Sequence, residues 1–209
     1  MLKKILNNNI VLLLIIFLIV EWFINPFGEF CLNDDWAYAA SVKALINTNK
    51  FNTGQWPAMT LYAHVLWGFI FTKIFGFSFS ILRISILVLS FISLWLTNNL
   101  FFNLTKNKIY SFSIGILLLF NPLFLGLSNS YMTDISFFCF FIMSILFFQK
   151  YYSKENSYYL IFGFSASIVA IFIRQFGIIL PLSFLLVSLI QYLNNKSKKH
   201  AIFYFLLFI

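Results

Sequence analysis

Residues 58–77 read AMTLYAHVLWGFIFTKIFGF, and the topology of the whole chain turns on whether this stretch crosses a membrane or lies along it. It is long enough, as a helix, to span a hydrocarbon layer of about 30 Å. Yet Thr60, His64, Gly68 and Thr72 recur at every fourth position. That spacing sets a weakly polar ridge along one side of a helix, as a helix at the interface or half-sunk against its neighbours would have.

The composition around this stretch is that of a polytopic membrane protein. Hydrophobic residues make up 61% of the 209 and charged residues 10%, against about half and a quarter in soluble domains. Continuous rather than alternating apolar runs predict helices and exclude a barrel. Candidate segments fall at 10–27, 58–77, 80–102, 109–126, 135–149, 158–173 and 176–193, with a stub at 200–209. The N-terminal run has a basic start like a signal peptide, but it passes into Glu21-Trp22-Phe23 without a small-residue cleavage site. It therefore predicts an uncleaved first membrane helix with the N-terminus inside.

The lysines and arginines decide how 58–77 is threaded. If the first seven segments all span, Lys106, Lys108, Lys150, Lys154, Lys196, Lys198 and Lys199 join Lys43 and Lys50 outside, leaving five basic residues inside against nine outside. That reverses the positive-inside preference. If 58–77 does not span, every later loop changes side and the count becomes nine inside against five. The fold expected is therefore an all-α polytopic membrane bundle, residues 1–209 forming one transmembrane domain with a long first external loop at 28–79. That loop carries two juxtamembrane helices. One is 58–77. The other is 35–49, with Tyr38, Val42, Leu45 and Ile46 on one face and Lys43, Asn47 and Lys50 on the other; the turn residues of NTGQWP separate the two. The chain stops ten residues into another apolar run, which predicts a fragment or truncated product. The net charge of +8 sits in short clusters between apolar runs; it reads as topology and not as a nucleic-acid surface. Cys31 and Cys139 have no metal-ligand spacing and make no disulfide framework.

This threading gathers charge at one membrane face. Asp34 and Asp35, in CLNDDWAYAAS, follow the external end of the first helix. Asp134, in SYMTDIS, starts a later helix at the same face, and Arg174, in FIRQFG, sits at an external turn beside Gln175. Charges near hydrocarbon cost several kcal/mol unless they pair, snorkel or face water, which makes each a candidate for function. Each also has a bland reading. Asn33 or Asp34 is a good N-cap, Asp35 suits the first turn of a helix, MTDIS with Asp134 is likewise an N-cap for the helix after it, and Arg174 can snorkel. His64 reads more readily as a packed or interfacial histidine, Arg83 and Lys73 as headgroup contacts, and Glu21 as an acid within reach of water.

The order of these features resembles the membrane-embedded glycosyltransferases of the C-type (GT-C) superfamily. The nearest resemblance is to the group holding the dolichyl-phosphate-mannose protein mannosyltransferases and the lipid A aminoarabinose transferases. An N-terminal helix is followed by the external Asp34-Asp35 pair with Tyr38 close behind, then by QWPAM, by KIFGFSFSILRIS, by a helix starting at Thr133-Asp134, and by Arg174-Gln175-Phe176-Gly177. The resemblance covers residues 10–193 and departs from the pattern in having only Pro57 where two prolines are usual. It implies transfer of a sugar from a polyprenyl-phosphate donor to a glycan, lipid or protein acceptor at the outer face of a bacterial cytoplasmic membrane. It further implies Asp34 as the catalytic base, with Asp35 and Asp134 shaping the acceptor site or supporting the base. Arg174 would contact the donor phosphate, with His64, Arg83 and Gln175 as accessory residues. It names no cofactor and does not settle a metal requirement, since relatives differ and three acids at one face could hold a divalent cation. Two other readings stand beside it: a translocase for lipid-linked sugars, which would place polar residues near mid-membrane, and an inactive truncated fragment.

Overall fold

The computed structural model describes residues 9–54 and 57–193. Its elements are all helical: α1 (Asn9–Ile24), α2 (Asp35–Thr48), α3 (Tyr62–Phe75), α4 (Phe79–Thr105), α5 (Lys108–Leu119), α6 (Pro122–Ser128), α7 (Thr133–Lys154), α8 (Ser157–Ile173), a 3-10 turn (Gln175–Ile178) and α9 (Ile179–Leu193). The chain is an all-α polytopic membrane protein. On length and apolarity, α4 and α7 qualify as spans by themselves, and α5 with α6 qualifies as a pair. Helices α1 and α8 are apolar but only 16 and 17 residues long, about 24–26 Å of helix and short of a full hydrocarbon layer. The stub at 200–209, Lys3, Lys4 and the lysines at 196–199 lie outside the described residues.

Polar residues that make poor helix interiors set the boundaries. Ser78 Oγ accepts the Ile81 N–H at the start of α4, Asn107 Oδ1 accepts two N–H groups at the start of α5, and Asn156 Oδ1 caps α8. The expected single helix at 109–126 is in fact two helices bent by 64°. Asn121 caps the second by accepting the Leu123 and Phe124 N–H groups, and Pro122 starts it, having no N–H with which to continue the first.

Apolar side chains fill the core and also cover the outside, and small hydroxyls bridge helices within. Ser90 pairs with Ser128 at 2.9 Å and Ser144 with Ser167 at 2.8 Å, all four buried, while Leu18, Ile19, Leu117, Phe162 and Leu186 face outward. Small hydroxyl residues let helices approach closely and bond across the contact, and lipid solvates the exposed apolar side chains.

Helix α3 lies across one end of this bundle and does not run its length. At its start, the Leu61 N–H donates to Ile173 O at 3.3 Å and Thr60 Oγ1 to Ile171 O at 2.7 Å, both at the end of α8. Leu61 adopts a left-handed backbone (φ 58°) to make that turn, with its side chain wholly buried. Farther along, Trp67 Nε1 donates to Ser85 O, in the second turn of α4, at 2.9 Å. A helix running antiparallel to α4 through the bundle would carry residues 60 and 61 toward the middle of α4, away from the end of α8 to which they bond. The ridge of His64, Gly68 and Thr72 is buried, and the opposite face of Tyr62, Leu66, Ile70 and Ile74 is exposed. Polarity thus points into the protein and oil points away. At Gly68 an added Cβ would stand 2.1 Å from the Tyr131 hydroxyl and 2.7 Å from its ring. Gly68→Ala is therefore expected to cost about 1–3 kcal/mol, visible as an earlier loss of monodisperse protein on heating in detergent. An unchanged midpoint would show that Tyr131 does not fix α3.

Candidate functional site

The rim formed by α2, the start of α3, the start of α7 and the end of α8 holds most of the charged candidates. Helix α2 is amphipathic as its spacing predicts: Tyr38, Val42 and Leu45 are buried, and Lys43 is exposed over the Phe77 ring. Its first turn divides the acid pair. Asp34 occupies the N-cap position but makes no cap bond. Its carboxylate is half-buried and meets no hydrogen-bond donor among the described residues. Asp35 is fully buried, and its Oδ1 accepts the Leu32 N–H at 2.7 Å. The side-chain cap expected of Asn33 or Asp34 is not made; Asp35 instead reaches backward to close the 32–35 turn. Burial pushes the Asp35 carboxyl up, against the pull of the Leu32 and Tyr131 N–H groups and of Arg83.

On the facing elements, Asp134 and Arg174 form an ion pair, Arg174 Nη2 lying 2.8 Å from Asp134 Oδ2. Both side chains are partly exposed, at 22% for Arg174 and 33% for Asp134, so the pair is open to solvent and to an incoming ligand. Thr133, which is fully buried, accepts from Arg174 Nε at 2.8 Å and from Nη2 at 2.6 Å. Gln175 Nε2 donates to Ala58 O at 2.9 Å, tying this turn to the segment before α3.

Tyr38 links the two halves. It is buried, and burial chiefly pushes its phenol up, with Asp34 and Asp134 adding to the rise and Arg174 opposing it. One phenol thus senses both aspartates and the guanidinium. His64 stands edge-on to the Tyr38 ring at 5.9 Å and stacks on Tyr131 at 4.2 Å. Its Nδ1 bonds Ser136 Oγ at 2.9 Å, and Nε2 is buried without a partner. Burial pushes the imidazole down to about 3, so His64 is neutral. It packs as a structural histidine under the rim.

Arg83 differs from the headgroup contact expected of it. It is 1% exposed, its Nη1 donates to Pro26 O and Gly28 O, its Nη2 donates to Phe30 O, and the guanidinium lies 4.5 Å from the Phe30 ring centre. It clamps the loop that follows α1. Glu21, expected within reach of water, is instead buried, with the Asn129 side chain as its polar neighbour. Among the described residues no three His, Cys, Asp or Glu side chains come together to hold a metal ion. Asp35 turns inward and Asp134 is taken by Arg174, so the three acids do not converge on a cation. Sequence reasoning missed Thr133, whose signal was only its place beside Asp134, and Tyr131, which carries no charge to draw attention.

A model of the dolichyl-phosphate-mannose-protein mannosyltransferase family matches residues 55–209 of the chain. No curated protein and no solved structure matches it.

The environment of Asp35 sets a test of its role. Its folded pKa is raised, so ionisation opposes folding at neutral pH, and that penalty disappears below the unfolded carboxyl range. Asp35→Asn keeps an acceptor for Leu32 and removes the charge. The variant is expected to be more stable than the parent at pH 7 and equal to it near pH 3, by thermal unfolding in detergent. A variant less stable at pH 7 would show that the ionised carboxylate supports the turn.

Proposed function

The chain belongs to the dolichyl-phosphate-mannose-protein mannosyltransferase family, a glycosyltransferase family of the GT-C type, and on that premise we propose that it moves a sugar from a polyprenyl-phosphate carrier to an acceptor hydroxyl at this rim. The observation that carries the reading is the pairing of an unoccupied base with a solvent-accessible cation. The Asp34 carboxylate meets no donor among the described residues, the Arg174 guanidinium is partly open, and the charges of both act on the buried Tyr38 phenol.

The chemistry follows from these groups. Asp34 accepts the proton of the acceptor hydroxyl as its oxygen attacks the anomeric carbon. The bond from that carbon to the phosphate oxygen breaks, and the lipid phosphate leaves with the electron pair. Arg174 stabilises the charge that grows on the phosphate, for which a guanidinium is geometrically suited. A single displacement inverts the anomeric configuration. Asp35 holds the turn that presents Asp34, and Asp134 restrains Arg174. The acceptor is a glycan, lipid or protein hydroxyl. With the basic loops inside, the N-terminus is cytoplasmic and the rim faces outward from a bacterial cytoplasmic membrane.

A lipid-borne donor also needs an apolar path for its tail. A groove of about 500 Å³ runs between α7 and α9, lined by Phe141, Ile145, Phe148, Leu180, Phe184 and Val187. Its upper end, at Ile179, begins five residues beyond Arg174, which supports a tail running down from a phosphate held at the rim.

Transfer from a radiolabelled polyprenyl-phosphate sugar in membranes tests the base. Asp34→Asn is expected to lose about 10²–10⁴ in turnover, and unchanged turnover would remove Asp34 from that role. Filling the groove with Ser183→Trp is expected to raise KM for a long-chain donor while leaving a short, soluble-chain donor unaffected. Equal effects on both donors would remove the groove from the donor's path.

A further inference from the structure

We propose that Thr133 is a positioning residue for Arg174, its buried hydroxyl gripping one edge of the guanidinium so that Nη1 faces outward to receive a phosphate oxygen, with Asp134 as the counter-ion that the incoming anion displaces. The inference rests on the phosphate-binding role of Arg174 proposed above.

A threonine hydroxyl has one proton and two acceptor lone pairs. Here the proton points to Met59 Sδ at 3.3 Å, a weak acceptor. Both lone pairs are thereby free to accept from Arg174, and they do so from Nε and Nη2, which share one edge of the planar group. Two bonds to a single buried oxygen fix the plane of the guanidinium as well as its position.

The backbone beneath it is equally constrained. Arg174 is extended between α8 and the 3-10 turn, its N–H donating to Ala170 O and its carbonyl accepting the Gly177 N–H, each at 2.9 Å. A Cβ on Gly177 would stand 2.5 Å from the Ile171 nitrogen, so the turn admits no side chain there. Base and head of the arginine are therefore both held.

The remaining valences point to the ligand. Nη2 also reaches Asp134 Oδ2 at 2.8 Å, whereas Nη1 meets no acceptor among the described residues. Phosphate is bound best by two parallel N–H groups. An anion engaging Nη1 and Nη2 together must therefore compete with Asp134, which weakens binding and eases release of the spent carrier. Thr133 and Asp134, adjacent in sequence, thus act in opposite directions on one cation.

The test measures binding of a polyprenyl monophosphate to the full chain in nanodiscs, with the corresponding polyprenol as a phosphate-free control. Thr133→Val keeps the shape and removes the acceptor; it is expected to weaken phosphate-dependent binding about tenfold. Thr133→Ser is expected to restore it to within about threefold, since a hydrogen bond to a charged group is the larger contribution. Asp134→Asn is expected to tighten it. Binding by Thr133→Val equal to the parent's, or equal loss in Thr133→Val and Thr133→Ser, would overturn the positioning role, and weaker binding in Asp134→Asn would overturn the counter-ion role. If the parent shows no phosphate-dependent binding, the donor reading fails, and Thr133 is judged on the modification rate of Arg174 by phenylglyoxal, followed by mass spectrometry. Faster modification in Thr133→Val than in the parent and Thr133→Ser supports the grip; equal rates overturn it.

Discussion

The approach of the Tyr131 phenol to the backbone of α3 positions the whole polar end of the bundle. Its hydroxyl donates to His64 O at 2.9 Å, and its ring occupies the space that a side chain at residue 68 would need. Because the group is fully buried, losing that bond would leave a phenol without a partner in an apolar setting, which costs more than the bond contributes when made. The contact pins α3 across the start of α7. From there the other placements follow: Leu61 and Thr60 join the end of α8, Tyr38 packs on His64, and Arg174 is carried to Thr133 and Asp134.

The sequence was informative where long-range electrostatics or local backbone chemistry sets the structure. Charge asymmetry across loops distinguished a helix lying along the rim from one crossing the bundle, although 58–77 is long and apolar enough for either. Ser78, Asn107 and Asn156 stand directly before the helices they cap. The bend within 109–126 was legible in Asn121-Pro122 but hidden by the continuous hydropathy around it. Side-chain direction was not legible. Nothing in the dipeptide Asp34-Asp35 says which carboxylate turns inward; that depends on a backward bond to Leu32 made only when the turn closes. Arg83 looked like a headgroup ligand because sequence shows its depth in the membrane and not the three carbonyls that fold back to meet it.

The same limit explains the polar ridge on α3. A four-residue repeat of Thr, His, Gly and Thr suits either the watery side of an interfacial helix or a helix half-sunk against its neighbours. Against a membrane bundle the second holds, since lipid rewards the apolar face and the protein interior supplies hydrogen-bond partners. Thr72 bonds back to Gly68 O and His64 to Ser136, leaving Leu66 and Ile70 on the outside. The serine pairs between α4 and α6 and between α7 and α8 obey the same rule.

The placement of charge also weighs between moving a lipid-linked sugar and reacting with it. A translocation path needs polar or broken structure near mid-membrane. On α7 the ionisable groups are Asp134 in the first turn and Lys150 and Lys154 near the end. On α4, Arg83 lies in the second turn with both terminal nitrogens engaged by carbonyls. Between them the interior is bridged by hydroxyls that already bond one another or a helix carbonyl. The α5–α6 bend does interrupt a span, and Thr97 Oγ1 and Asn98 Nδ2 on α4 are buried without a partner among the described residues, but neither feature brings a charge to mid-membrane. At the rim a sugar finds a carboxylate that meets no donor among the described residues and a partly exposed cation, and an ion pair that solvent already reaches can exchange one anion for another at small cost. That favours chemistry at the surface, on a substrate whose tail stays in the lipid.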